Sequence, residues 1–87
     1  MAMLKARAEL RDRMLELLTD VTAAQDPEGR TLGHAKWMLE NLPKGTGARD
    51  RDKRCRWIGY AQCLLVIRGR IRLAALKEVT RETVQDG

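Results

Sequence analysis

His34, Cys55 and Cys63 are the side chains whose types could carry nucleophilic or metal chemistry in this sequence of 87 residues. A cysteine nucleophile needs a base beside it, and with a single histidine the pairings reduce to His34 with Cys55 or His34 with Cys63. No motif brings either pair together. The expected roles are therefore structural, the thiols packing as small apolar groups and His34 capping a helix or packing beside Trp37. A zinc site asks for about four Cys, His or carboxylate ligands at set spacing, and no C-x-x-C pair starts one. The glycines of Gly45-Thr46-Gly47 follow a proline rather than an apolar strand, so they do not read as a phosphate loop. The expectation is a protein that is not an enzyme, with no catalytic residues, no metal and no cofactor.

Charge is the second kind of chemistry. Seventeen Lys and Arg against twelve Asp and Glu give a net charge of +5, which eases the approach of acidic proteins or nucleic acid. Five cations, Arg49, Arg51, Lys53, Arg54 and Arg56, cluster where a helix is expected to start. A helix N-terminus carries partial positive charge, so cations there are disfavoured unless something anionic compensates. Asp50 and Asp52 do so in part. The cluster is a candidate partner-binding or anion-binding segment, with amide donors and guanidinium groups together; the competing reading is a solvated loop of internally paired Arg and Asp. Arg68, Arg70 and Arg72 follow the same helix, where positive charge suits the dipole.

Four helices must position these groups. Leu10, Met14, Leu17, Leu18 and Val21 form one stripe, extended backwards by Met3, and predict a helix over about 3–24 that stops before Asp26-Pro27-Glu28-Gly29. Thr31 is a plausible N-cap for a helix over about 32–42, carrying Leu32, Ala35, Met38, Leu39 and Leu42 and closed by Pro43. A third helix, about 50–68, ends at Gly69, which suits a left-handed cap. From Trp57 to Ile67 it is apolar on more than one face, so it is expected to be central. Leu73, Leu76, Val79 and Val84 predict a last helix over about 73–84. The fold class is all-α, a single domain over 1–87 built as a compact bundle of about four helices around an apolar helix 3. If the other helices do not cover every face of helix 3, the uncovered part, drawn from Cys55, Gly59, Tyr60, Gln62 and Val66, becomes an interface.

Cys55 and Cys63 stand eight positions apart, roughly 12 Å along a helix axis, too far for a disulfide. Free thiols fit a reducing compartment. The charges from Lys5 to Arg13 leave no signal peptide, and the longest apolar stretch falls short of the roughly 20 residues that span a bilayer. The sequence therefore predicts a cytoplasmic protein with no membrane partner.

The pattern His34-Ala-Lys-Trp37-Met38, then Arg56-Trp57-Ile-Gly59-Tyr60-Ala-Gln62, then Gly69-x-Ile71-x-Leu73-x-x-Leu76-Lys77 resembles a group of small proteins encoded by tailed bacteriophages and prophages. The resemblance covers about residues 31–80, and the sequence departs from the pattern in its charged, glycine-rich segment Gly45 to Arg54. It implies a phage accessory or early protein that binds and redirects or inhibits a host or defence protein. His34, Trp37, Trp57, Gly59, Tyr60 and Gln62 are then either an interface or the packing core of the group. Three readings follow: a protein-binding accessory factor facing an acidic host surface, a basic nucleic-acid-binding regulator, or a self-associating module such as a homodimer.

Overall fold

The computed structural model describes the backbone of residues 2–85 and the side chains of residues 9–80. Four helices, α1 (Ala2–Glu16), α2 (Leu32–Glu40), α3 (Ala48–Ile67) and α4 (Leu73–Gln85), are present with no strand among the described residues, so the fold is an all-α bundle. The expected contributions of Met3 and Val84 lie outside the described side chains.

α1 buries Leu10 and Met14, and Leu18 just beyond it is fully enclosed. It stops at Glu16, well short of the expected end near residue 24. Leu17, Leu18 and Val21 donate three residues back, to Met14, Leu15 and Leu18, which tightens and ends the coil. Thr19, Asp20, Val21 and Thr22 are β-branched or short polar residues that lose little by leaving a helix. Tertiary groups take the released backbone instead: Lys36 Nζ donates to the Val21 carbonyl at 2.7 Å, and the Ala24 N–H donates to Gly33 at 3.1 Å. This strand of loop passes so close to α2 that a Cβ on Gly33 would sit 2.8 Å from the Thr22 carbonyl oxygen.

α2 opens as the sequence predicts, with the His34 N–H donating to Thr31 Oγ1 at 3.1 Å. Ala35, Met38 and Leu39 face inward. Its end comes at Glu40, where the Asn41 amide donates to the Trp37 carbonyl at 2.9 Å and Pro43 follows. α3 starts two residues earlier than expected and ends at Ile67. Gly69 has φ +75°, with Gly69 N–H donating to Val66 and Arg70 N–H donating to Leu65. That pair of bonds is the Schellman closure which glycine makes sterically cheap.

α3 is not enclosed on every side. Arg54, Ile58, Ala61, Leu64 and Leu65 are buried, whereas Tyr60, Cys63 and Ile67 are exposed. The cause is the pairing: α2 packs on α3 and α1 on α4, and α3 and α4 meet sparsely. The Cα extents of 31 × 27 × 17 Å correspond to two helix layers, and in a two-layer bundle each helix keeps an outward face. Between the layers lies one core built around Leu10, Met14, Leu18, Leu39, Ile58 and Leu65. No described helix is long and apolar enough to cross a membrane.

Candidate partner-binding face

Arg49, Lys53, Arg56 and Tyr60 recur at i, i+4, i+7 and i+11 on α3 and are all exposed, which places them along one outward stripe. Among the described residues no carboxylate is ion-paired with Arg49, Lys53 or Arg56. Arg51 is also exposed but leaves the same turns on another side. Arg54 departs from the sequence expectation: it is 7% exposed, and its Nη1 donates to the carbonyls of Pro43 at 2.7 Å and Gly45 at 2.9 Å. It holds the loop entering α3 and is not part of a surface cluster. Its Nε is buried without a hydrogen-bond partner. Asp50 secures the same loop by accepting from the Gly45 N–H at 3.1 Å.

The aromatic residues run beside the stripe. His34 stacks on Trp37 with ring centres 5.8 Å apart, Trp37 meets Trp57 at 5.7 Å, and Lys53 Nζ lies 5.1 Å from the Trp57 ring centre. All three rings are half-buried between α2 and α3, so they cement that pair while backing the basic stripe. His34 Nδ1 accepts from the Asp26 N–H at 3.1 Å, which leaves Nε2 to carry the proton of the neutral ring. Tyr60 is 44% exposed and donates to the Gly29 carbonyl at 2.6 Å. The turn it reaches is set by Gly29 at φ +65° and by Asp26, whose carboxylate accepts from the backbone of Arg30 and Glu28. Chiefly through the Arg30 N–H, the Asp26 carboxyl is held below its ordinary value.

Two of the three cations in the second basic group are tied down. Arg70 forms a forked pair with Asp20 at 2.8 and 3.0 Å, which lowers the Asp20 pKa and raises that of Arg70. Arg68 donates twice to the Arg30 carbonyl. Arg72 is exposed.

Around the outward side of α3 an apolar groove of about 290 Å³ opens toward α4, lined by Gly59, Cys63, Val66 and Ile67 from α3 and Leu73 and Leu76 from α4. Gln62 lies at its base, where its Nε2 donates to Thr80 Oγ1 at 3.2 Å. Of the residues the sequence offers for an uncovered face, Gly59, Gln62 and Val66 line this groove and Tyr60 is exposed beside it, while Cys55 is half-buried. The sequence reading missed Ile67, 75% exposed, and Leu73, 54% exposed. Their signal was the short connector between two apolar helices. Both cysteines are free thiols, and among the described residues no group of three or more His, Cys, Asp or Glu could hold a metal ion. Compared with known proteins, the chain matches no family model, no curated protein and no solved structure.

Proposed function

We propose that this chain is a small helical binding protein that docks an acidic surface of a partner protein through the Arg49–Lys53–Arg56–Tyr60 stripe of α3. The observation that carries the reading is the exposure of these three cations on one face with no carboxylate ion-paired to them among the described residues. Arg and Tyr are residue types favoured at interfaces, where they add planar contact area and directed donors. In the accessory role implied by the resemblance to phage proteins, occupancy of a host or defence protein is itself the activity, and no catalytic group is required.

Nucleic acid is the less favoured partner. The three cations of the stripe lie within seven helical steps, Arg49 to Arg56, roughly 10 Å, and are few beside the six to ten phosphate contacts of strong DNA binders. The tryptophan rings engage each other and Lys53, so they do not form an open platform for bases.

The test is capture from a bacterial lysate by the immobilised chain, alongside a variant carrying Arg49→Glu, Lys53→Glu and Arg56→Glu. The expected result is a partner retained by the native sequence and lost with the variant, whose helicity is unchanged. Equal capture by both proteins defeats the reading. So does tight binding to generic duplex DNA that falls steeply with salt.

A further inference from the structure

We infer that His34 is a proton-operated latch on the Asp26–Arg30 turn: the neutral ring holds the turn against α2, and a second proton, taken up at Nδ1, re-pairs it. The chain has one histidine, and histidine is the side chain whose charge ordinarily changes between about pH 5 and 8. Its Nδ1 accepts from the Asp26 N–H at 3.1 Å, eight positions back along the chain. That bond requires a lone pair on Nδ1. The imidazolium has none to give, because both of its nitrogens are donors. A solvent proton on Nδ1 sets two N–H groups against each other, so the contact exists with the neutral ring alone.

The surroundings provide the turn with a second arrangement. The Asp26 carboxylate lies close enough to the ring to respond to its charge, and it is held below its ordinary value, first by the Arg30 N–H, so it is still ionised where imidazole gains its second proton. Its oxygens now accept within the turn, Oδ1 from the Glu28 N–H at 3.3 Å and Oδ2 from the Arg30 N–H at 2.8 Å. In the charged state this carboxylate becomes the acceptor for Nδ1–H, and the two amides give it up. The other charged groups on the elements around the ring already have partners. Glu28 and Arg30, from the turn, pair with each other at 3.4 Å. Lys36, on α2, donates to the Val21 carbonyl. From α3, Lys53 lies over Trp57 and Arg68 donates to the Arg30 carbonyl. Trp37 keeps the ring in place in both states, since its indole stacks on the imidazole at 5.8 Å and also suits a cation.

The re-pairing reaches α3. Tyr60 Oη donates to the Gly29 carbonyl at 2.6 Å. A Cβ placed on Gly29 would lie 3.4 Å from that Oη and 3.6 Å from His34 Nε2, so ring, turn and tyrosine share one small space. Opening the turn that presents the Gly29 carbonyl frees the Tyr60 hydroxyl, and the imidazolium places a positive charge beside it. Acid therefore alters the tyrosine end of the α3 stripe and leaves its three cations as they are. One acceptor replaces another while the helices stay intact, so the event is a local re-pairing and not an unfolding. The latch does not depend on what the stripe binds.

The experiment is NMR spectroscopy of the full chain labelled with nitrogen-15. A scalar coupling between the Asp26 nitrogen and His34 Nδ1 reports the N–H···N bond directly; it is expected at about pH 7.5 and lost at about pH 5. Over that range the protection of the Arg30 amide against exchange, taken relative to its intrinsic rate, should fall about tenfold as it loses a charged acceptor. The Ala35 amide, bonded to the Thr31 carbonyl at the start of α2, should keep its protection. His34→Gln supplies an acceptor that takes up no proton, and should leave the Arg30 amide equally protected at both pH values. Absence of the coupling at the higher pH overturns the inference, as does its persistence at the lower one. Equal protection of Arg30 at both values in the native chain overturns it too, and so does the same loss in His34→Gln. No partner is present in these measurements, so their failure is separate from failure of the stripe reading in the capture experiment.

Discussion

Arg54 Nη1 donates to the carbonyl oxygen of Pro43 at 2.7 Å, across eleven positions of chain, and its second bond to Gly45 at 2.9 Å fixes the loop from both sides. Loop carbonyls buried against a helix need a donor. Here the donor is a guanidinium whose own exposure is 7%. Arg54→Met keeps the length of the stem but strips both acceptors of their partner, and is expected to cost about 2–3 kcal/mol. Arg54→Lys should recover a part, because an ammonium lacks the planar fork. Arg51→Met, at an exposed position in the preceding turn, should stay within about 0.5 kcal/mol of the native chain. Urea denaturation with an unchanged slope measures all three, and native stability in Arg54→Met would mean the loop is held by other contacts.

That arginine also marks where the sequence stops being legible. Thr31 and Gly69 were readable because a cap depends on its own residue and the next few. The stripe Leu10, Met14, Leu18 was readable because periodicity is local too. Arg54 sits among four other cations, and nothing local distinguishes the one that turns inward to meet carbonyls nine and eleven residues behind it. The end of α1 was hidden for the same reason: Lys36, Gly33 and Arg70, all remote, receive the chain that leaves the helix after Glu16. Apolarity on several faces of α3 led to the expectation of a central, covered helix, whereas which faces stay open depends on the two-layer pairing of helices, which no segment encodes alone. Hence three of the five cluster residues, Arg49, Lys53 and Arg56, share the stripe, while the groove needed α4 to be placed.

Two glycines should respond oppositely to alanine. Gly59 lies inside α3 with free space around its Cβ position, so Gly59→Ala gains helix propensity and should stabilise by about 0.5–1 kcal/mol. Gly33 lies inside α2, where propensity argues the same way, yet its Cβ would meet the Thr22 carbonyl oxygen at 2.8 Å. Backbone must move, so Gly33→Ala should destabilise by about 1–3 kcal/mol. Thermal melts followed by circular dichroism decide it. A Gly33→Ala midpoint at or above that of the native chain would mean that the loop over α2 yields cheaply.

Lys53 over Trp57 offers a spectroscopic check on the back of the stripe. The 5.1 Å separation is within cation–π range. Lys53→Gln removes the charge but keeps much of the stem, and should cost about 0.5 kcal/mol. In a Trp37→Phe background the emission of Trp57 should change on that substitution, whereas Arg49→Gln, a turn further from the ring, should leave it as it was. Identical spectra for both substitutions would place the ammonium away from the indole in solution.

Acid should act on the turn and the interlayer tie before it acts on the helices. Asp20 is held below the ordinary carboxylate value first by the hydrogen bonds from Arg70, and Asp26 first by the Arg30 N–H. Both carboxyls thus protonate more readily in the unfolded chain than in the folded one. As pH falls, the unfolded state takes up protons first, so the stability these groups contribute is complete above the ordinary value and drains away through the lower folded value. Arg70, raised by the same pair, stays charged throughout that range and adds no acid dependence of its own. Urea midpoints should therefore be level from about pH 7 to pH 5 and fall below about pH 4. Asp20→Asn with Asp26→Asn should lower the midpoint at neutral pH and flatten the acid limb. Because Asp20 and Arg70 meet at the surface, added salt should narrow the gap between native and variant chains. Parallel acid limbs for the two proteins would assign the acid sensitivity to other carboxylates.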